Sequence, residues 1–296
     1  TALSILRPTK RKFLSISMAD IRAGRVCSAA REIRWFVKAL RRRFYDLVID
    51  FHGLFKSSLI VFLSRGRRKL GYDSWQELSG LFLTEKIYED MNKHAVERYF
   101  DFALYLGAKE DKMEFVLPSR PDAEVKIKRL LEYHGLEENN FVAISPIAYW
   151  ATKLWDNRKF AELADLIQQT LGKKVIFTAS ERSAVEPITS GMTSKAVNLA
   201  GQTSLAELAE LFKKARIVIT TDSGPMHLAC AVGTPVVALF GPTDPARTGP
   251  YGVGHQVIRA NVPCSPCFLK KCKTVKCMQE ITVAQVFSTV RACLEK

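Results

Sequence analysis

The sequence predicts an α/β protein of two units, each a parallel sheet covered by helices. Three observations carry that expectation. The chain has 296 residues, 47% of them hydrophobic and 25% charged, which is enough apolar material for more than one core. Apolar runs with strand character alternate with stretches of helical periodicity, the pattern of parallel sheets with crossover helices. The segment "ITTDSGPMHLACAVGTPVVALFGPTDPARTGPYG", Ile219 to Gly252, places a Gly-Pro pair ahead of two short apolar runs and follows them with a second and a third Gly-Pro pair.

In chain order, "REIRWFVKALRRR" spaces Ile33, Phe36, Val37 and Leu40 as one helical face. "YDLVIDF" reads as a strand, "KSSLIVFLSR" as a helix, and "HAVERYFDFALYLGA" as a helix ending near Gly107. "MEFVLPSRP" reads as a strand followed by a linker, which sets the expected boundary between an N-terminal unit of residues 1–119 and a C-terminal unit of residues 120–296. Helices follow at Asp122–His134, Arg158–Leu171 and Leu205–Lys214, and strands at Phe141–Ser145, Lys174–Thr178, Ile217–Thr220 and in "PVVALF".

The formal net charge is +14, and it is local. Residues 1–70 hold 17 Lys/Arg against 4 Asp/Glu, a net of +13, whereas the remaining 226 residues hold 27 against 26. Clusters sit at Lys10-Arg11-Lys12, at Arg41-Arg42-Arg43 and from Arg65 to Lys69. Such a face is solvated, or it meets an anionic surface. No RNA-recognition, helix-turn-helix or zinc-finger pattern points to nucleic acid. No apolar run reaches the roughly 18 residues that cross a bilayer, and the start lacks the apolar core of a signal peptide, so a cytoplasmic location is expected.

In the quoted segment, "RIVIT" is a strand and Thr221 to Gly224 a turn. Asp222 or Ser223 is expected to cap the helix that follows, and Pro225 suits its first turn because the missing N–H costs nothing there. Gly224 lets a backbone or ligand approach closely. A helix N-terminus at the carboxyl edge of a parallel sheet favours a phosphate, although an ordinary capped turn has the same pattern.

Those residues resemble the signature of glycosyltransferase family 9, the lipopolysaccharide heptosyltransferases. The resemblance continues in order through "YDLVIDFHGLFKSSLI", "RRKLGYDSWQE", "KHAVERYFDFALYLGA", "TKLWDNRKFAELADLI" and "GQTSLAELAELFKKARIVITTDSGP", from about Glu32 onward. It implies two Rossmann-like domains facing a cleft, the glycosyltransferase B type, with the sugar-nucleotide donor on the C-terminal domain and the acceptor on the N-terminal one. It implies inverting transfer of heptose or a related sugar from an ADP-activated donor, ADP-heptose, to the inner core of lipopolysaccharide. The acceptor would be the anionic lipid A/core oligosaccharide, reached peripherally at the inner-membrane surface, with no cofactor and no nucleic acid.

By position, the resemblance assigns the donor diphosphate to Asp222, Ser223, Gly224, Pro225 and Met226. His227 is either a ligand contact or a packed helix residue. Lys153 resembles a family lysine that meets a phosphate, and Thr152 and Ser145 on the same strand-end loop add hydrogen bonds. Glu181 and Thr203 resemble positions lining the nucleoside pocket, with Glu186 a competing candidate, and Trp155 reads as core.

One departure stands out. The family opens with a strand and a loop ending in Gly-Asp, whose aspartate is the proposed general base. Residues 1–31 contain no match, and Asp20 is their only acidic residue. The N-terminal domain is therefore expected to lack its first strand, and no catalytic residue is assigned. The alternative reading is a catalytically impaired or truncated nucleotide-sugar-binding homologue. Finally, Cys264, Cys267, Cys272 and Cys277 are spaced C-x2-C-x4-C-x4-C. Four thiolates can hold zinc, but the later gaps differ from the usual paired ribbon, so reduced thiols or a disulfide are expected and no metal is assigned.

Overall fold

The computed structural model describes residues 26–73, 80–109, 113–118 and 120–295. The chain forms two units, residues 1–90 with 98–108 and residues 91–97 with 109–296. The division falls after Ala108, ahead of the boundary expected at 119. "MEFVLP" is not a strand: residues 113–118 have no regular structure, and Phe115, Val116 and Leu117 are exposed, because no neighbouring strand pairs with them.

The first unit has α1 (Val26–Leu40), β1 (Tyr45–Asp50), α2 (Phe55–Leu63), β2 (Gly66–Tyr72), β3 (Glu85–Ile87) and α3 (Ala95–Tyr105), the first turn of α3 belonging to the second unit. β1, β2 and β3 pair in that order, all parallel. Asp20 and the segment before α1, where the family's first strand is expected to be missing, fall outside the described residues. β2 was hidden in the sequence inside a basic cluster: Arg67 and Arg68 stay exposed while Leu70 and Tyr72 enter a core with Ile87 and Phe102. Asp50 ends β1 as a turn-former. Its Oδ1 accepts the His52 and Gly53 amides at 2.9 and 3.1 Å, and its Oδ2 the Ser57 and Ser58 hydroxyls at 3.0 and 3.1 Å. Four donors occupy this carboxylate, so it shapes the loop into α2.

The second unit runs α4 (Pro121–His134), β4 (Phe141–Ser145), α5 (Asn157–Leu171), β5 (Lys174–Phe177), α6 (Glu186–Thr189), β6 (Val197–Asn198), α7 (Leu205–Lys214), β7 (Ile217–Thr221), α8 (Gly224–Ala231), β8 (Val236–Phe240), α9 (Pro245–Thr248), β9 (Gln256–Arg259), α10 (Lys276–Gln279) and α11 (Val283–Leu294). The sheet order is β6-β5-β4-β7-β8-β9, entirely parallel. β4, β7 and β8 are buried at every position. Their alternate residues enter two cores, one on each face: Val142, Ile144, Ile219 and Leu239 meet α5 and α11, while Phe141, Ala143, Val218 and Ala238 meet α4 and α7. The chain leaves β4 toward β5 and β6, then returns to β7 on the other side. The edge between β4 and β7 is thus the topological switch point, where ligands of open parallel sheets bind.

Candidate functional site

Four strand ends build the site. Ser145 closes β4, Thr178 follows β5, Asp222 follows β7, and the "GPTDP" loop follows β8. Ser145 is buried and its hydroxyl lies 2.6 Å from that of Thr178. A cavity of about 410 Å³ opens beside them, lined by Ser145, Thr178, Ser180, Thr203, Leu208 and Pro225 among others. That volume suits a small organic ligand.

Asp222 is 5% exposed, and it does not cap α8. Its Oδ2 receives the Lys153 ammonium at 2.6 Å and the Thr243 hydroxyl at 2.6 Å. Ser223 does occupy the cap position, but its hydroxyl turns back to the Thr221 carbonyl at 3.3 Å and makes no cap bond. The expected side-chain cap is therefore corrected: Lys153 and Thr243 outcompete the helix for the carboxylate. The start of α8 is left without a side-chain acceptor, which is the condition under which a helix N-terminus attracts an anion. Pro225 does lie in the first turn, and Gly224 is exposed, with no atom within 4 Å of where a Cβ would stand.

The remaining sequence candidates divide. Lys153 sits in a turn after β4, largely buried, with its ammonium also 4.6 Å from the centre of the Trp150 ring. Thr152 is buried and donates to the Leu269 carbonyl at 2.8 Å, so it fixes the loop. Met226 is fully buried in the core and its amide meets the Ser223 carbonyl at 3.1 Å. His227 keeps an accessible edge on α8 while protein surrounds much of its ring; that loss of hydration lowers its pKa, Asp222 opposes this, and His94 and Lys153 add to the lowering. Glu181 and Glu186 are exposed, Glu186 lying 3.6 Å from the Arg182 Nε. Trp155 is buried and donates to the Ile281 carbonyl at 3.0 Å.

Thr243, Thr178 and Trp150 were not singled out from sequence. The only signal for Thr243 was its place in the second Gly-Pro loop. Cys264, Cys267, Cys272 and Cys277 are thiols outside any disulfide, and no group of three or more His, Cys, Asp or Glu among the described residues is arranged to hold a metal.

Comparison with known proteins agrees with this architecture. The family model described as glycosyltransferase family 9 (heptosyltransferase) matches residues 33–278. The lipopolysaccharide core heptosyltransferase OpsX of Haemophilus influenzae is 28% identical over 220 residues, covering 72% of this chain and 62% of that protein. Lipopolysaccharide heptosyltransferase 3 of Escherichia coli is 32% identical over 217 residues, 70% of this chain and 62% of that protein. The chain thus spans less than two thirds of the length of these relatives. A glycosyl transferase family 9 structure from Veillonella parvula superposes with a TM-score of 0.72 at 22% identity, covering 91% of this chain and 78% of that one. E. coli heptosyltransferase WaaC with ADP superposes with a TM-score of 0.68 at 24% identity, covering 92% and 82%. These two likenesses speak for the fold, the glycosyltransferase B type. With the family model spanning most of its length, the chain belongs to glycosyltransferase family 9, the heptosyltransferase family.

Proposed function

We propose that the chain transfers heptose, or a closely related sugar, from an ADP-activated donor to the inner core of lipopolysaccharide, with inversion at the anomeric carbon. The observation that carries this reading is the uncapped start of α8 at the sheet's switch point, with the Lys153 ammonium beside it and the cavity of Ser145, Thr178 and Thr203 adjoining. The diphosphate lies along Asp222 to Pro225, where the helix N-terminus and Lys153 neutralise it. The Met226 side chain supports that turn from the core, and His227 flanks it. The nucleoside occupies the cavity, which Thr203 lines, and the exposed Glu181 follows the lining residue Ser180 in the chain. As the sugar departs, charge grows on the diphosphate. A fixed cation and helix dipole stabilise that charge more than they stabilise the ground state.

The acceptor in this reading is the acidic lipid A/core saccharide, met at the cytoplasmic face of the inner membrane. The excess of +13 in residues 1–70 supports it, as do the exposed Phe44, Phe55, Ile60 and Phe62 in the first unit. No helix among the described residues is long and apolar enough to cross a membrane. Calorimetry with ADP tests the donor reading. The expected result is saturable binding that K153A weakens; no binding by the wild-type chain would overturn it.

A further inference from the structure

Around Asp222 the side chains of the second unit close a circuit. Asp222 holds Lys153, and Lys153 lies over Trp150. The Lys270 ammonium also meets Trp150, 5.2 Å from the ring centre. Lys270 follows Phe268 and Leu269; the Leu269 carbonyl accepts the Thr152 hydroxyl, and the Arg247 guanidinium lies over the Phe268 ring at 5.2 Å. Arg247 belongs to α9, which begins two residues after Thr243, and Thr243 returns the circuit to Asp222.

The circuit holds three cations, Lys153, Lys270 and Arg247, against the Asp222 carboxylate. The nearby Asp244 carboxylate accepts the Ala246 amide at the start of α9. Asp222 is already engaged by Lys153. The Arg247 Nε is buried with no hydrogen-bond partner, which is costly for a charged donor. Apolar surface here is open: Phe268, under Arg247, is 42% exposed, and Leu269, next to Lys270 in the chain, is 53% exposed. Phe268 is held there at a φ of 55°, unusual for a residue with a side chain, by its amide and that of Cys267 on the Pro242 carbonyl. Aromatic faces next to unpaired cations suit a ligand with a CH-rich ring and a negative group.

We propose that Trp150, Phe268, Lys270 and Arg247 form a second anion subsite, separate from the diphosphate site, that takes a sugar bearing a phosphate or carboxylate. It gives the second unit its own hold on an acidic saccharide. This goes beyond the donor reading, and the test below separates the two.

The probe is glucose 6-phosphate, followed by saturation-transfer NMR and calorimetry, with glucose and glucuronate as comparisons. The measurements are made on the chain alone and on the chain saturated with ADP. Glucose 6-phosphate and glucuronate are expected to bind both forms and glucose neither. K270E and R247Q are expected to weaken the acidic sugars at least tenfold while leaving ADP affinity within twofold, which also shows that the variants fold. Displacement of glucose 6-phosphate by ADP would overturn the proposal, as would equal binding of glucose or unchanged affinity in both variants. Failure of ADP to bind would count against the donor reading alone, because the acidic-sugar titration of the free chain still decides the subsite.

Discussion

In the proposed donor site, the Lys153–Asp222 ion pair is the central feature. The ammonium is largely buried and shared between the Asp222 carboxylate and the Trp150 face. On the proposed reading, K153A deletes a charge-assisted contact to the diphosphate and leaves the Asp222 carboxylate, with only the Thr243 hydroxyl on it, facing the phosphates without a counter-charge. A loss of about 2–3 kcal/mol in ADP binding is expected, roughly 30- to 150-fold in Kd, read by calorimetry. His227 gives a second residue-scale prediction. Its pKa is held down in the free protein, chiefly by lost hydration, with His94 and Lys153 contributing. A bound diphosphate adds negative charge beside it and raises that pKa, so ADP binding takes up a proton near the ordinary imidazole value of about 6.5. Calorimetry in buffers of different ionisation enthalpy reads this, and H227Q is expected to remove the difference. For stability the sign follows from the same shift. The folded state resists protonating His227, so this group lowers stability as pH falls below the ordinary imidazole value. The thiols separate likewise: burial pushes Cys230 up to about 11, whereas hydrogen bonds from Val275 and Thr274 lower the exposed Cys272. Near neutral pH, iodoacetamide is expected to label Cys272 well before Cys230, as mass spectrometry of peptides will show.

Among the elements, the loop between β8 and α9 depends on a glycine because of what packs behind it. A Cβ on Gly241 would stand 2.5 Å from the Met278 sulfur and 3.1 Å from that of Cys277 on α10. Met278 is 1% exposed, so its side chain must repack within the core to make room. G241A is expected to cost about 1–3 kcal/mol by overpacking, seen as a lower Tm in thermal unfolding. Because Gly241 leads into Thr243, the same variant is expected to weaken ADP binding; an unchanged Tm and affinity would show that α10 yields freely. The elements also mark how far local pattern reaches. Central strands such as β4, β7 and β8 are buried throughout and apolar except for Ser145, Thr220 and Thr221 at their ends, and were legible as buried strands. β2 was not, since "GRRKLGY" mixes charge with only two apolar anchors. β9 and the short β6 also lack a signal of their own; each is a strand because a neighbour offers a ladder. "MEFVLP" fails for the opposite reason, an apolar run with no ladder beside it.

At the scale of the whole molecule the charge is divided by unit. The first unit exposes Arg41, Arg42, Arg43, Arg65, Arg67 and Arg68 beside exposed aromatic side chains, with Arg65 over the Phe44 ring at 4.9 Å. Each basic residue near an anionic bilayer contributes up to about 1 kcal/mol, so a few suffice for reversible attachment. The protein is expected to pellet with anionic vesicles at low salt and to be released near 1 M, where the Debye length is about 3 Å. Equal pelleting with neutral vesicles, or none with either, would remove the membrane from the functional reading. Preference for duplex DNA over vesicles would redirect it to nucleic acid.

By itself the sequence determined the alternation of strands and helices, the turn ahead of α8 with its Gly-Pro pair, and the family. These are local matters, since periodicity and turn chemistry act over a few residues. It also supplied most of the candidate site as a set of names. Tertiary structure decided what those residues do. Lys153 and Thr243 lie far from Asp222 along the chain, and they meet on one carboxylate because the sheet order sets β4, β7 and β8 side by side, with their carboxyl ends on one edge. That meeting took Asp222 away from the helix it was expected to cap, and the Thr152 hydroxyl separately holds the Leu269 carbonyl, with Lys270 against Trp150. Strand order depends on long-range burial and pairing, which no local window of residues contains.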